Sequence, residues 1–290
     1  GMEGLERGTI KRIRIIAVPP KVQPHMNNPV LGVSREDPGK FVLGTVPVEA
    51  DGSAHFRVPS GIPVFFQALD ERGMAVQTMR SLTYVQPDQT FACIGCHEHK
   101  YGTTPPITSL ASLAGREPDQ LEPESWGSGY VDYSSMVQPV LNKHCVRCHG
   151  GEEGIAAGMD LSGGWTEHFN ISYENLIDRR KTQLVADYIA GVDCMNGTAD
   201  YSNQLFPPRS HGSAVAPLAE VIMSGHGGRL PEMTETERDL VMAWIDSNGL
   251  YHGTFNYTEH GYFLKAAADT MKQLHGSMEK AGCMKCHTRQ

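Results

Sequence analysis

Three copies of one five-residue word constrain this chain more than anything else in it. They are Cys93-Ile94-Gly95-Cys96-His97, Cys145-Val146-Arg147-Cys148-His149 and Cys283-Met284-Lys285-Cys286-His287. Together they use six of the seven cysteines. C-x-x-C-H is the attachment signature of c-type haem. Thiols three residues apart lie along one edge of a helical turn, where they can form thioethers with the two vinyl groups of a porphyrin. The histidine that follows is carried to the iron as an axial ligand. The words therefore predict three covalently attached haem c groups, with His97, His149 and His287 as proximal ligands. Other C-x-x-C chemistry fits less well. A four-thiolate zinc site takes pairs two at a time, which three pairs each followed by His do not match. A thioredoxin-type motif needs a βαβ pattern, and none is visible. A haem-free domain that binds zinc or closes disulfides is the alternative.

A chain of 290 residues with 40% apolar side chains can bury the cores of two domains. The net charge is −8, and no Lys/Arg-rich run or nucleic-acid motif occurs, so nucleic acid is not an expected partner. No stretch of ~18 apolar residues is present, so no membrane span is expected. Covalent haem attachment in bacteria takes place outside the cytoplasm. Gly1 ahead of Met2 looks like a tag remnant. An export signal is expected to have preceded the chain, placing the protein in the periplasm or otherwise outside.

The first hundred residues read as short strands. Residues 9–18 alternate apolar and basic side chains and stop at Pro19-Pro20. Phe41 to Val48 leads into a turn at Glu49-Ala50-Asp51-Gly52, and Ala54, Phe56 and Val58 then alternate with polar residues. Pro63 to Leu69 and Met74 to Met79 flank a second turn, Asp70-Glu71-Arg72-Gly73. Many short strands with Gly and Asp turns predict a small β-sandwich. The first word follows it, with Tyr101 four residues beyond His97. On a continuing helical turn both would point to one side. A Tyr phenolate can ligate haem iron, so His97 and Tyr101 are both open as the ligand.

Residues 105–130, rich in Pro, Gly and Ser, read as a linker or an extended wrap. From Val131 onward Tyr133, Met136, Val137, Val140, Leu141 and His144 fall on one helical face, with a kink expected at Pro139. This helix delivers the second word. His144 can ligate a neighbouring haem, although packing with a hydrogen bond is the commoner role for such a residue. A short helix over Leu218 to Met223 ends at Ser224-Gly225-His226. A second helix carries a capping box, Thr234 with Glu237, and a stripe of Leu240, Val241, Trp244 and Ile245. Met223 and Met233 are alternative distal ligands to His226. Cys194, the seventh cysteine, reads as a buried inert thiol. The distal ligand of the third haem is one of His252, His260 and His275.

Three stretches carry a resemblance. Leu43 to Pro59, Phe66 to Ser81 and Cys93 to Glu98 resemble the middle region of the hydrazine synthase alpha subunit family, a group of multihaem cytochromes in planctomycetes and other bacteria. Gln138 to Gly150 resembles the haem word of planctomycete-type cytochrome c domains. In hydrazine synthase a Tyr four residues after the C-x-x-C-H histidine ligates the first iron, and that histidine turns towards a zinc ion. The resemblance therefore implies a Tyr101-ligated first haem with an open face and a zinc ion near His97. It also implies that the Gly-His position at His226 supplies the distal ligand opposite His149.

The expected fold is α+β: a β-sandwich with the first haem (residues 1–104), a linker (105–130), and a mainly helical cytochrome c domain with two haems (131–290). The expected function is that of a trihaem c-type cytochrome. Its first haem, at His97 and Tyr101, would carry redox chemistry on a small nitrogen compound or peroxide. The other two would relay electrons to and from a redox partner protein. A pure electron-transfer cytochrome without catalysis is the competing expectation.

Overall fold

The computed structural model describes residues 2–20, 31–32, 37–79, 81–93, 95, 115–150, 155–166, 169–178, 181–182, 184, 207–254, 277 and 280. Five strands form one antiparallel sheet in the order β4-β3-β1-β2-β5. They are β1 (Arg12–Ala17), β2 (Phe41–Pro47), β3 (Val64–Leu69), β4 (Ala75–Thr78) and β5 (Gly129–Tyr130). β1 is central and pairs with both β2 and β3, Arg14 lying opposite Thr45 on one side and Gln67 on the other.

The α+β class is as expected; of the expected β-sandwich, the described residues show one sheet. Phe56 and Val58 were expected on a strand. Phe56 makes only an isolated bridge to Asp119, and both side chains pack as irregular chain against the sheet. They cover one face together with Leu121, over Ile15, Ala17, Val46 and Val64. Residues 115–130, read as linker or wrap, run along this sheet. Thr45 N–H donates to Glu122 O at 2.8 Å, and Glu122 N–H returns to Thr45 O at 2.9 Å. That crossing requires a glycine: a Cβ on Gly44, at φ +146°, would meet Glu122 O at 2.4 Å. The register shift opposite Ile15/Ile16 also turns the strand over. Val42 therefore packs towards the helices, whereas Val46 packs against the opposite layer.

Helices cover the other face. They are α1 (Gln138–His144), α2 (Val146–His149), α3 (Ile171–Asp178), α4 (Pro217–Ser224) and α5 (Glu235–Asp246). Ile16, Val18, Val42, Phe65 and Met74 of the sheet region join Val137, Leu141, Leu176, Ile222, Val241 and Trp244 in one core. Trp244 is fully buried, its ring centre 5.0 Å from that of Tyr133, and its Nε1–H donates to Leu250 O at 2.8 Å. The helix expected from Val131 begins as a π-helical turn, Tyr133–Val137, before α1. Pro139 explains the change, since it has no N–H to offer an α-helical bond to the carbonyl four residues back. Asp132 caps the turn by accepting Ser135 N–H at 2.9 Å. The capping box of α5 forms as expected, and Leu240, Val241, Trp244 and Ile245 are all buried.

One buried charged cluster fastens sheet to helices. Arg14 is 1% exposed and donates to Glu124 at 2.5 Å, Gln67 at 3.0 Å and Asp246 at 3.2 Å. Asp246, at the end of α5, also accepts from Ser213 N, Ser213 Oγ and Ala75 N. Burial pushes the Asp246 carboxyl upward against the pull of Arg14. Among the described residues no helix is long and apolar enough to cross a membrane.

Candidate haem site

Of the three words, the second lies wholly within the described residues. Cys145 stands at the junction of α1 and α2. Its N–H donates to Leu141 O at 2.8 Å, and its carbonyl accepts from Cys148 N at 3.1 Å and His149 N at 2.9 Å. These bonds keep the word on one helical turn, with both thiols and the imidazole on neighbouring positions. The two thiols differ. Cys145 is half-buried against the core, and burial, reinforced by nearby Cys148, pushes its pKa up to about 11. Cys148 is exposed. Both are free.

His149 is oriented by backbone carbonyls. Its Nδ1 lies 3.1 Å from Ala156 O and 3.2 Å from Met159 O. Both partners are acceptors, so Nδ1 carries the hydrogen and Nε2 keeps its lone pair free. This is the arrangement in which metal-binding imidazoles are held. The carbonyls are presented by a 3₁₀ turn, Ala156–Gly158, in which Ala157 takes φ 52°.

Across from it stands His226. Gly225, at φ 69°, caps α4 with its N–H on Val221 O and Ile222 O. The chain stays left-handed through His226 (φ 52°, ψ 41°) and Gly227 (φ 63°). Glycine adopts this conformation freely, but histidine does so at a cost of about 1 kcal/mol. The result is a ring whose centre is 6.2 Å from that of His149, with 39° between the planes. An imidazole nitrogen sits ~2 Å from a bound metal and ~1 Å from its own ring centre, so two rings on opposite sides of one ion stand about 6 Å apart. Among the described residues no three His, Cys, Asp or Glu side chains gather as a metal cage. The 6.2 Å separation matches that spacing, and His149 belongs to the word that carries the two thiols.

The remaining expectations divide. Met223 and Met233 pack with the core. Cys93 is exposed. His252 is half-buried behind Tyr251, its ring centre 4.9 Å away, and burial lowers its pKa against the opposing influence of Asp132. Cys96, His97, Tyr101, Cys194, His260, His275, Cys283, Cys286 and His287 lie outside the described residues. Two groups escaped the sequence reading. The carbonyls of Ala156 and Met159 leave no side-chain signal. Glu237 was legible as a capping residue, but not as the partner of Lys143 at 2.7 Å and His144 at 3.1 Å.

Known proteins agree with the family resemblance of the first third. Residues 8–98 match the family model described as the hydrazine synthase alpha subunit middle domain. Over that stretch the chain is hydrazine synthase alpha-like. The hydrazine synthase subunit alpha of Kuenenia stuttgartiensis is 38% identical over 60 residues, which are 21% of this chain and 7% of that protein. The solved Kuenenia stuttgartiensis hydrazine synthase shares the fold, with a TM-score of 0.53 at 18% identity. That match covers 86% of this chain but 40% of the solved one, so the chain spans less than half the length of the relatives it matches.

Proposed function

We propose that this chain is a trihaem c-type cytochrome whose second haem is held between His149 and His226 and relays electrons. The observation that carries this reading is the pair of rings 6.2 Å apart, one of them with Nδ1 tied to carbonyls and Nε2 left free. Haem would supply a one-electron iron couple. Cys145 and Cys148 would hold it covalently, and the two imidazoles would fill both axial positions. With both faces occupied, such a site conducts rather than binds substrate.

The relationship to hydrazine synthase supports redox work on nitrogen compounds. We assign any chemistry to the first word, with Cys93 and Cys96 as anchors and Tyr101 as the iron ligand. His97 would face a zinc ion, leaving one iron face open to a small nitrogen compound. The third word, Cys283 to His287, is assigned a relay haem. Its distal ligand is one of His252, His260 and His275. The protein is proposed to work in the periplasm with a redox partner protein.

The test is a preparation of the full chain made with a haem maturation system. A pyridine haemochrome assay should return three haems per chain, and none would end the reading. Carbon monoxide added to the reduced protein should change the spectrum of one haem. If all spectra stay unchanged, the catalytic part fails and the protein is an electron carrier only. Tyr101→Phe should shift the ligand-binding haem, and an unchanged spectrum returns that iron to His97.

A further inference from the structure

We infer that Glu237 is a positioning residue for the His149–His226 pair, acting through Lys143 and His144; the inference rests on the haem reading proposed above. The two imidazoles stand on separate pieces of chain. His149 ends α2, which continues directly from α1. His226 lies on the turn after α4, in the segment that leads into α5. Nothing in the covalent chain near either residue sets the distance between them. It depends on how the end of α1 is held against the start of α5.

Glu237 stands at that junction, in the first turn of α5. One carboxylate oxygen accepts from Lys143 Nζ at 2.7 Å. The other accepts from His144 Nε2 at 3.1 Å and from the backbone N–H of Thr234 at 3.0 Å. Capping α5 needs only the last of these bonds. The other two reach the residues immediately before Cys145, so one carboxylate fastens the root of the haem word to the helix that follows His226.

His144 makes the fastening specific. Its side chain is only 3% exposed, and its Nδ1 is buried without a partner among the described residues. Among those residues Glu237 therefore supplies the sole hydrogen bond to a buried imidazole. Without it both ring nitrogens would be orphaned, and the end of α1 would have to shift to rehydrate them. Lys143 is 58% exposed and adds charge rather than shape. This logic parallels groups behind metal ligands, whose loss weakens the metal site by about 10- to 100-fold although they never touch the ion.

The experiment uses the haem-loaded full chain and follows, by spectrum, the rate at which exogenous imidazole displaces a native ligand from the second haem. His226→Ala comes first. It should open that haem to exogenous ligand at once, and an unchanged spectrum removes both the haem reading and this inference. Glu237→Ala then removes the fastening, because the oxygen that caps Thr234 is also the one that accepts from His144, and Gln would keep both bonds. Displacement should become about 10- to 100-fold faster. Thr234→Ala breaks the cap alone and should lower the unfolding temperature while leaving the displacement rate near wild type. If His226→Ala opens the site but Glu237→Ala exchanges at the wild-type rate, the inference is overturned and the haem reading stands. If Thr234→Ala accelerates exchange as much as Glu237→Ala, general stability is responsible and the inference is equally overturned. Should Glu237→Ala fail to load haem, Lys143→Met carries the same test, with a smaller acceleration expected and the wild-type rate as the overturning result.

Discussion

The cluster around Arg14 and the haem word around Cys145 both adjoin the same core, and they are built in opposite ways. Every charged group at Arg14 has its partner. The guanidinium meets Glu124, Gln67 and Asp246, and Asp246 meets Ser213 and Ala75 as well. At the second word the polar groups stop short of one another. Two thiols are free, the hydrogen-bonding of His149 leaves Nε2 uncommitted, and His226 is held in a left-handed backbone opposite it. A saturated polar site has finished its work when the chain has folded. The thiols and imidazoles of the second site are the groups that the proposed haem would engage. Burial alone would not distinguish the two, whereas the hydrogen-bond inventory does.

The largest expected effect lies at the saturated site. Arg14→Met leaves Glu124 and Asp246 buried without their cation, which should cost about 3–5 kcal/mol of unfolding free energy. Chemical denaturation of the haem-free chain measures it, and a loss below ~1 kcal/mol would show that the cluster is not the tie described. Next comes the difference between the thiols. Cys145, pushed from 9.0 to about 11, should hold roughly a hundredfold less thiolate at pH 8 than an ordinary thiol. Mass spectrometry of the haem-free chain after brief iodoacetamide treatment should therefore find Cys148 labelled well before Cys145. Equal labelling would mean that the two are equivalent.

A smaller effect, of opposite sign, is expected at His226. Replacing it with glycine relieves the left-handed backbone and should leave the haem-free chain as stable or more stable by about 0.5–1 kcal/mol. A loss like that at Arg14 would make His226 a structural residue after all. The smallest concerns acid. The Lys143 hydrogen bond leads the effects that hold the Glu237 carboxyl down to about 2, from an ordinary 4.5. A depressed carboxyl contributes stability that is complete above its unfolded value and is lost as pH falls through the folded one. Glu237→Gln should thus flatten the fall in stability between pH 4.5 and 2. The change should stay under ~1 kcal/mol and shrink with added salt, because the pair is partly exposed.

What the sequence disclosed follows the range of the interactions involved. Turns at Glu49–Gly52 and Asp70–Gly73, the capping box of α5 and the helical stripe ahead of Cys145 depend on neighbours a few residues apart. All of these form. The second word and the Gly-His position could be singled out because their residue types are unusual. Arg14 shows the limit. Basic residues alternating with isoleucines read as a strand, but nothing local discloses that Arg14 is buried against α5, whose Asp246 is 232 residues away. Among the described residues the second layer over the sheet is not a strand for a related reason. Phe56 and Val58 do bury against the sheet, but as irregular chain, and alternation records burial without recording ladder pairing.

The 3₁₀ turn behind His149 has a consequence of its own. Two carbonyls drawing on one N–H make an imidazole a stronger base, and a stronger base favours the more highly charged state of any ion it holds. Under the proposed ligation, the setting of Ala156–Gly158 biases the second iron towards its oxidised form. A change at Ala157, which touches neither histidine, would then alter the driving force for electron flow without disturbing the wire itself.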